Sequence, residues 1–450
     1  MKKTFFFTVI CFLLTVQSIA QQYGNFEKVP FAIGIFPPLS TNGKHAGNCV
    51  NQASINLLAG YSAGLSGVEI SAFSNSDRDF AHGIQIAGFG NFVGGEFAGF
   101  QFGSFANFNK GISNGFQFAG FANYNYSQAD GVLAAGFFNF TRGKSFALQL
   151  AGFGNYCQDA EGIQAAGFSN VVKGDGKVTQ MAGVANITKG NVYGIQIAGA
   201  INYSKEKMQN LQVAGVLNFA GKEAEGSQVA GAVNITHENM TGAQIAGCLN
   251  MTKNLNGTQI SAGLNIAKIV TGCQIGILNI SDTIKSGIPI GFLSIVKKNG
   301  FHEMEFSVSE GWNTQATYKI GVEKFYNIFT IGAKVFGPRY CWGTGYGLGT
   351  QIFNNENFKS QLELISYHVN EGEAWTDGQN EMEQLRVIFS KKLNSQLRLF
   401  VSPTCNLILS KTKENDHPFS SCFAPYSLYT HSGHCTKQQA WIGLTVGVQL

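Results

Sequence analysis

The chain has 450 residues, of which 13% are charged, 12% are aromatic and 56 are glycine. Disordered chains are rich in charge and poor in aromatic side chains, so this composition excludes a largely disordered protein. A formal net charge of +4 at pH 7 is too small, at this length, to indicate a nucleic-acid partner.

Residues 1–20 have the pattern of a secretory signal peptide. "MKK" is a positively charged start, an apolar run follows from Thr4 to Val16, and "SIA" before Gln21 is a small-residue cleavage site. The apolar run is too short for a stable membrane helix. We therefore expect an exported bacterial protein whose membrane association, if any, depends on β-structure. Residues 21–50 are expected to form an N-terminal entry strand.

Residues 51–299 repeat one motif. "GIQIAGFGN" at Gly83 returns as "GFQFAGFAN" at Gly115 and "GIQIAGAIN" at Gly194, and successive units start every 15 or 16 residues. Apolar and polar residues alternate within the unit, which predicts strands. A transmembrane meander alternates short turns with long loops and would double the period, whereas each unit here resembles both neighbours. The repeat predicts an all-β fold with a parallel β-solenoid of about 15 coils, and one large antiparallel β-barrel is the alternative.

One asparagine recurs in every unit. In a solenoid these side chains would stack ~4.8 Å apart, and each amide would bond to the next. A tight turn that tolerates asparagine is the other interpretation. Both roles are structural. The residues predicted for this ladder are Asn91, Asn107, Asn123, Asn139, Asn155, Asn170, Asn186, Asn202, Asn218, Asn234, Asn250 and Asn265.

A phenylalanine follows the "AG" of the earlier units. In later units the bulk moves one position along, as a comparison of Phe121-Ala122 with Val216-Leu217 illustrates. Compensation of this kind is typical of a close-packed interior. We therefore expect the phenylalanine column to lie in the core, with an exposed sugar-binding strip or a lipid-facing row as alternatives.

Residues 300–450 form a second domain with a different pattern. The alternation predicts strands near 302–310, 314–323, 325–336, 345–353, 359–369, 382–391, 395–409 and 440–450. Eight amphipathic strands of about ten residues match a small outer-membrane barrel, and a soluble antiparallel sheet capping the solenoid is the alternative. In the barrel, Ile442, Leu444, Val446 and Val448 would face lipid. In the cap, that face would pack against the final coils near Phe292 and Ile295.

Several segments together carry a resemblance to a known family. "FPPLSTNG" (36–43), "NQASINLLAG" (51–60), the GxQxAGxxN units and the strand-rich tail resemble bacterial surface repeat-containing proteins. The resemblance covers nearly all of the chain after the signal peptide. It implies a cell-surface or outer-membrane location and carries no functional residues. The short coils are also similar in design to trimeric autotransporter adhesin heads, which is a likeness of architecture alone.

Residues able to perform catalysis or bind metal are sparse. Glu69 is a strand carboxylate in the first coil, but glycoside hydrolysis needs a second acid, and none is evident. "HSGHC" (431–435), with His417 and Cys422 nearby, offers metal-ligand types within a polar loop. A disulfide between Cys422 and Cys435 is an open possibility. We predict no catalytic, metal-binding or cofactor-binding residue and no cofactor.

The sequence thus predicts a non-enzymatic repeat protein of the bacterial cell surface or outer membrane. Its expected role is structural or adhesive, with the outer membrane and an unidentified protein or glycan ligand as partners. The alternative is an outer-membrane barrel with a binding or transport-linked role, in which the repeats are an accessory. Neither the oligomeric state nor the side of the membrane that the repeats occupy follows from the sequence.

Overall fold

In a computed structural model, the described residues are 26–336, 339–376, 378–411, 413–414, 417–418, 421, 423–433 and 436–450. The protein is all-β: a parallel β-solenoid of about 15 turns is followed by a closed eight-stranded antiparallel barrel. The predicted fold class is confirmed, and the alternative of one large antiparallel barrel is wrong. The chain divides into two compact units, Met1–Thr241 and Gly242–Leu450. The expected signal peptide (1–20) lies outside the described residues.

The first unit starts with a short antiparallel hairpin and a 3-10 helix, Gly43–Asn48, and continues as parallel coils. Its strands are β1 (Glu27–Phe36), β2 (Leu39–Ser40), β3 (Cys49–Asn56), β4 (Ala59–Ser71), β5 (Ser74–Ala87), β6 (Gly90–Val93), β7 (Glu96–Gly103), β8 (Ala106–Asn109), β9 (Ser113–Ala119), β10 (Ala122–Asn125), β11 (Ala129–Ala135), β12 (Phe138–Thr141), β13 (Lys144–Ala151), β14 (Gly154–Cys157), β15 (Asp159–Ala166), β16 (Ser169–Val172), β17 (Gly176–Ala182), β18 (Ala185–Thr188), β19 (Val192–Ala198), β20 (Ile201–Ser204), β21 (Met208–Ala214), β22 (Leu217–Ala220), β23 (Ala224–Ala230) and β24 (Val233–Ala246), the last of which continues into the second unit.

A typical coil contains one longer and one shorter strand, separated by a bend at the glycine after the motif's alanine. β9 pairs in parallel with β11, and β10 pairs with β12. Gly115 therefore lies beside Gly131, and Asn123 lies beside Asn139. Because equivalent residues of successive coils are neighbours, every repeat position forms a column along the solenoid.

The interior of the coils contains two columns of buried amides beside its buried apolar side chains. All twelve asparagines predicted for the ladder are at most 1% exposed. The glutamines at the third position of the motif are buried to the same extent. Asn186 Nδ2 donates to Oδ1 of Asn202 over 3.0 Å and to the carbonyl of Ile197 over 2.8 Å. Gln196 Nε2 donates to Oε1 of Gln180 over 2.7 Å. Since most stacked amides satisfy one another, their burial leaves few unpaired polar groups. One is Oε1 of Gln274, whose column neighbour in the next coil is Pro289.

The phenylalanine column lies outside the coils, so the expectation of a phenylalanine core is wrong. Phe105, Phe121 and Phe137 are 42–43% exposed. The bend that precedes each phenylalanine interrupts the strand alternation, and the ring therefore points away from the inner face that holds asparagine. Neighbouring rings of this column stack with centroids 4.8–5.0 Å apart.

Glycine at the bend is required by the stacking itself. A Cβ on Gly152 would overlap the carbonyl oxygen of Gly136 in the preceding coil. The same clash recurs at Gly167 and Gly183. The regular spacing of glycine in the repeat thus follows from the close approach of successive backbones.

The second unit contains the last coils and the barrel. Its strands are β25 (Leu249–Ser261), β26 (Leu264–Ile275), β27 (Leu278–Ile290), β28 (Leu293–Val296), β29 (Phe301–Ser309), β30 (Thr314–Val322), β31 (Phe325–Lys334), β32 (Cys341–Asn354), β33 (Phe358–Glu371), β34 (Asn380–Lys392), β35 (Arg398–Ser410), β36 (Lys413–Glu414), β37 (His417–Pro418), β38 (Tyr429–Ser432) and β39 (Lys437–Gln449). β29 to β35 pair in sequence, β35 pairs with β39, and β39 pairs back with β29, which closes the barrel. Each of the eight strands predicted for residues 300–450 overlaps one barrel strand.

Candidate functional site

The barrel has an apolar outer face, and its interior holds both charged and apolar side chains. On β39, Ile442, Leu444 and Val446 are 42–56% exposed, whereas Thr445 and Gln449 between and beside them are 1–2% exposed. Further exposed apolar side chains of the barrel strands are Met304, Phe306, Val308, Ile331, Leu348, Leu362, Leu364, Leu385, Phe389, Leu399, Val401 and Leu407. A soluble barrel places such side chains in its core, whereas a barrel in a bilayer turns them toward lipid.

A balanced set of charges lies inside the barrel. This charge cluster consists of three acids and three bases, each at most 7% exposed: Glu303, Glu305, Glu363, Lys319, Lys359 and Arg386. Lys319 Nζ lies 2.8 Å from carboxylate oxygens of both Glu305 and Glu363. Arg386 contacts the same two carboxylates, at 2.8 and 2.7 Å. Buried charges of this kind are tolerated because each one is paired.

An apolar cluster fills the lumen at the end opposite the charge cluster. Trp312 and Phe423 are at most 1% exposed, and their ring centroids are 4.4 Å apart. Lys334 Nζ donates a hydrogen bond to the carbonyl of Phe423 over 2.9 Å, which holds this part of the long loop in the barrel. Eight-stranded barrels have an interior just wide enough for side chains to fill it. The lumen is therefore packed both at the charge cluster and at this apolar cluster.

The two ends of the barrel differ. At one end the strands are joined by residues 323–324, 355–357 and 393–397, which are turns of two, three and five residues. At the other end the connections are 310–313, 335–340, 372–379 and 411–436, of which the last has 26 residues. The chain enters β29 and leaves β39 at the short-turn end. Outer-membrane barrels have short turns on the periplasmic side and longer loops on the outside.

The last coil contacts the barrel at this short-turn end. Asn327, near the start of β31, donates to the carbonyl of Gly291 over 2.6 Å and accepts from the backbone N–H of Ser294 over 3.1 Å. The ring of Phe292 stacks on Tyr346 at 4.9 Å. The contact expected for a capping sheet, between Phe292 and the outward face of β39, is not the one that forms.

The first coil holds a buried acid pair that sequence reasoning missed. Asp77 lies in the same interior as Glu69, and both are 1% exposed. Gln85 Nε2 donates to Asp77 over 2.6 Å, and Ser54 donates to Glu69 over 3.2 Å. Burial, followed by the charge of Glu69, raises the pKa of Asp77 well above its ordinary value, and burial raises the pKa of Glu69. Because the pair is closed off from solvent, it has no access to a polymeric substrate.

The acid pair occupies positions that carry amides in later coils. Gln101 and Asn109 stand in the same two columns and exchange hydrogen bonds of 2.9 and 3.0 Å. The signal for the pair was therefore present in the sequence: Asp77 follows Glu69 by eight residues, as Asn109 follows Gln101. The pair is therefore a contact inside the coil and does not form a surface site.

Most of the candidate metal residues lie outside the described part of the chain. His434 and Cys435 of "HSGHC", and Cys422, lie outside the described residues, so the possible disulfide also lies there. Within the part of the chain that the structure describes, no group of three or more His, Cys, Asp or Glu side chains could hold a metal ion. In the same residues, no helix is long and apolar enough to cross a membrane.

The stacked phenylalanines are poorly suited to sugars. Neighbouring rings are within 16° of parallel, so each ring face is covered by the next ring and only ring edges reach solvent. A sugar stacks on an open ring face. The column thus offers an apolar edge surface and no polar recognition group.

Comparison with known proteins gives no relative from which a role could be transferred. No protein-family model matches the chain, and no curated protein or solved structure matches it.

Proposed function

We propose that this protein is an exported, non-enzymatic outer-membrane repeat protein of bacteria. Its barrel, residues 301–449, anchors it in the membrane, and its repeat coils lie on the periplasmic side as an interaction surface. The observation that carries the proposal is the reversed polarity of the barrel: Glu305, Lys319 and Arg386 are fully buried inside it, while Leu364 and Ile442 are 55–56% exposed outside.

The strand lengths also support a membrane anchor. The barrel strands have 9–14 residues. A tilted strand of about 9–11 residues is sufficient to cross a bilayer. The charged side chains on the outward face of β34, Glu381, Glu383 and Lys391, lie near its two ends and leave an apolar middle.

The position of the last coil supports the periplasmic placement. Gly291 and Ser294 bond to Asn327 beside the two-residue turn 323–324, which belongs to the short-turn end. Short turns are the periplasmic ends of outer-membrane barrels. This choice differs from the surface display expected from the sequence and follows its alternative, a barrel with accessory repeats.

The packed lumen favours an anchor over a pore. The charge cluster and the Trp312–Phe423 contact together fill the barrel with side chains. Transport of a solute through the barrel would require both the charge cluster and the Trp312–Phe423 pair to move. We therefore assign the proposed interaction with a partner to the coils and not to the barrel.

The proposed membrane anchor is tested by adding a charge to the outward face of the barrel and measuring assembly of the full-length chain in the outer membrane. Val446→Arg places arginine on the apolar outward face of β39, where it is expected to cost up to ~2–4 kcal/mol and to reduce the amount of folded protein in the outer membrane. Val335→Arg, in a loop where the side chain is 57% exposed, is the matched control and should assemble normally. Equal assembly of both variants, or a wild-type chain that stays soluble without detergent, would refute the anchor.

A further inference from the structure

Three cations lie on adjacent strands at the short-turn end of the barrel. They are Lys359 at the start of β33, Lys392 at the end of β34 and Arg398 at the start of β35. Strand alternation places them on the side of the inward residues, as Lys392 follows the buried Ser390 by two positions. We call these three residues the mouth cations.

The mouth cations repel one another. Lys392 and Arg398 are register partners and therefore face each other across β34 and β35. The positive charge of Arg398 also repels that of Lys359. Like charges that are directly opposite each other destabilise a pair of strands. This end of the barrel thus carries a repulsion that a bound anion would offset.

The charge cluster does not neutralise the excess. Its three acids and three bases balance one another, and Glu303, the acid that contacts Lys359, also contacts Lys319. Within the part of the chain that the structure describes, neither Lys392 nor Arg398 forms an ion pair. Two positive charges at the mouth therefore remain without a counter-charge.

The acids in the adjoining turns do not supply that counter-charge. Glu356, in the turn 355–357, is exposed and forms no ion pair with a described residue. Glu323, in the turn 323–324, accepts a hydrogen bond from Asn354 over 3.2 Å. The backbone of Leu450, beside the register partner of Arg398, bonds to Met304 of β29.

The guanidinium of Arg398 also has an unused donor. Its Nη1 is buried without a hydrogen-bond partner, whereas the side chain as a whole is partly exposed and can be reached from solvent. Gln449, its register partner on β39, donates its amide to Gln361 over 3.1 Å. Oε1 of Gln449 is unpaired as well, so a direct bond between the two side chains is the competing arrangement. A buried donor without a partner is costly, and a bound acceptor would remove that cost.

The arrangement suits a phosphoryl group. A guanidinium offers parallel N–H donors that match two oxygens of a phosphate, and an ammonium contributes a further donor. Neighbouring strands are ~4.8 Å apart, so Arg398 and Lys392 can reach different oxygens of one group. A carboxylate has two oxygens, and a bidentate contact with Arg398 would use both.

We propose that the short-turn mouth of the barrel binds a phosphoryl group through Arg398 and Lys392, with the charge of Lys359 behind them. The group belongs either to free phosphate or to a phospholipid headgroup. The site is formed by the closed barrel itself, so the inference does not depend on the proposed membrane anchor.

Phosphorus NMR of inorganic phosphate, titrated with the full-length protein in an uncharged detergent, tests the site. Low salt keeps the screening of charges weak. Wild type is expected to broaden the phosphate signal saturably. Arg398→Met combined with Lys392→Met should weaken binding by about tenfold or more, because charge-assisted hydrogen bonds are lost. The control, Lys253→Met with Lys268→Met, removes the same charge from exposed positions of β25 and β26 and should bind like wild type.

Lys392→Glu provides a second route if the double variant fails to fold. The new carboxylate faces Arg398 across the strands and takes the place of the anion. Phosphate binding should be lost, and the barrel should unfold at a higher temperature because an opposite-charge pair replaces a like-charge pair. Lys391→Glu, on the outward face of the same strand, is the control and should keep phosphate binding.

The source of the phosphoryl group is identified by repeating the titration in phosphatidylcholine nanodiscs. Phosphate binding that persists in the nanodiscs supports free phosphate as the ligand. Binding that is present in detergent and lost in the nanodiscs supports a lipid headgroup in the same site.

Two results would overturn the proposal. One is the absence of saturable broadening with wild type in detergent. The other is equal binding by the Arg398→Met, Lys392→Met variant and its coil control, or by Lys392→Glu and Lys391→Glu. Either result would leave the bond between Arg398 and Gln449 as the role of the guanidinium.

Discussion

Asn186 and Gln196, two residues of neighbouring columns, pass their hydrogen bonds in opposite directions along the solenoid. The amide of Asn186 donates to Asn202 in the following coil, over 3.0 Å, whereas the amide of Gln196 donates to Gln180 in the preceding coil, over 2.7 Å. The side-chain dipoles of the two ladders therefore oppose each other instead of adding up. Two buried amide columns can run through the same coils without accumulating a dipole.

Removal of one ladder residue should be costly. Asn186→Leu leaves the amide partners in both neighbouring coils unpaired, so we expect a loss of ~1–3 kcal/mol in the free energy of unfolding. Lys189→Leu, at an exposed turn of the same coil, should change stability by less than ~0.5 kcal/mol. Hydrogen exchange of the coil peptides measures both. Equal protection in the two variants would show that the ladder contributes nothing to stability.

The acid pair predicts a pH dependence of the first coil. Burial and the charge of Glu69 raise the pKa of Asp77 in the folded state. An acid whose folded pKa lies above its unfolded value, ~3.9 for aspartate, stabilises fully below that value. The contribution is lost as pH rises through the folded pKa. We expect hydrogen exchange of residues 67–82 to be slowest, relative to its intrinsic rate, at acidic pH and to speed up toward alkaline pH.

Replacement of the acids by the amides of later coils should remove this dependence. Glu69→Gln with Asp77→Asn recreates the contact of Gln101 with Asn109. The variant should match wild type at low pH and exceed its protection at neutral pH. Glu161→Gln, an exposed acid, is the control. A first coil that remains equally pH-dependent in the double variant would exclude the pair as the cause.

The charge cluster should fail when one base is removed. Arg386→Met leaves Glu305 and Glu363 without one of their partners inside the barrel, and we expect a loss of ~3–5 kcal/mol. Lys391→Met removes an exposed base from the same strand and should have little effect. The temperature at which the folded barrel loses its fast migration on electrophoresis reports the difference. Equal temperatures would mean that the cluster is not needed for the closed barrel.

A packed lumen predicts a barrel that does not conduct. Purified protein in a planar bilayer should give no discrete current steps, because the charge cluster and the Trp312–Phe423 contact fill the interior. The Arg386→Met variant is the comparison, because it removes one charged side chain of the cluster that fills the lumen. Regular steps in wild type would contradict the assignment of the barrel as an anchor.

The sequence predicts the strands well because period and alternation are local properties. The 15–16-residue period requires one environment per coil, and the strand near 440–450 corresponds to Lys437–Gln449. Alternation alone does not say which face is inside. Phe121 was expected in the core and is 42% exposed, because the bend before it reverses the direction of the side chain.

The pairing of charges inside the barrel could be recognised only from contacts between distant residues. Arg386 and Glu305 are 81 positions apart and meet because the barrel closes. The contact of Asp77 with Glu69 depends on which columns of the coil face inward, and alternation alone does not give that direction.

The side of the membrane on which the coils lie is tested most directly by epitope tags on intact bacteria. One tag is inserted at Glu373 in the connection 372–379 at the long-loop end, and another at Lys222 in an exposed turn of the coils. If the coils lie on the periplasmic side, antibody reaches the Glu373 tag on intact cells and reaches the Lys222 tag only after the outer membrane is permeabilised. Labelling of the Lys222 tag on intact cells would contradict it.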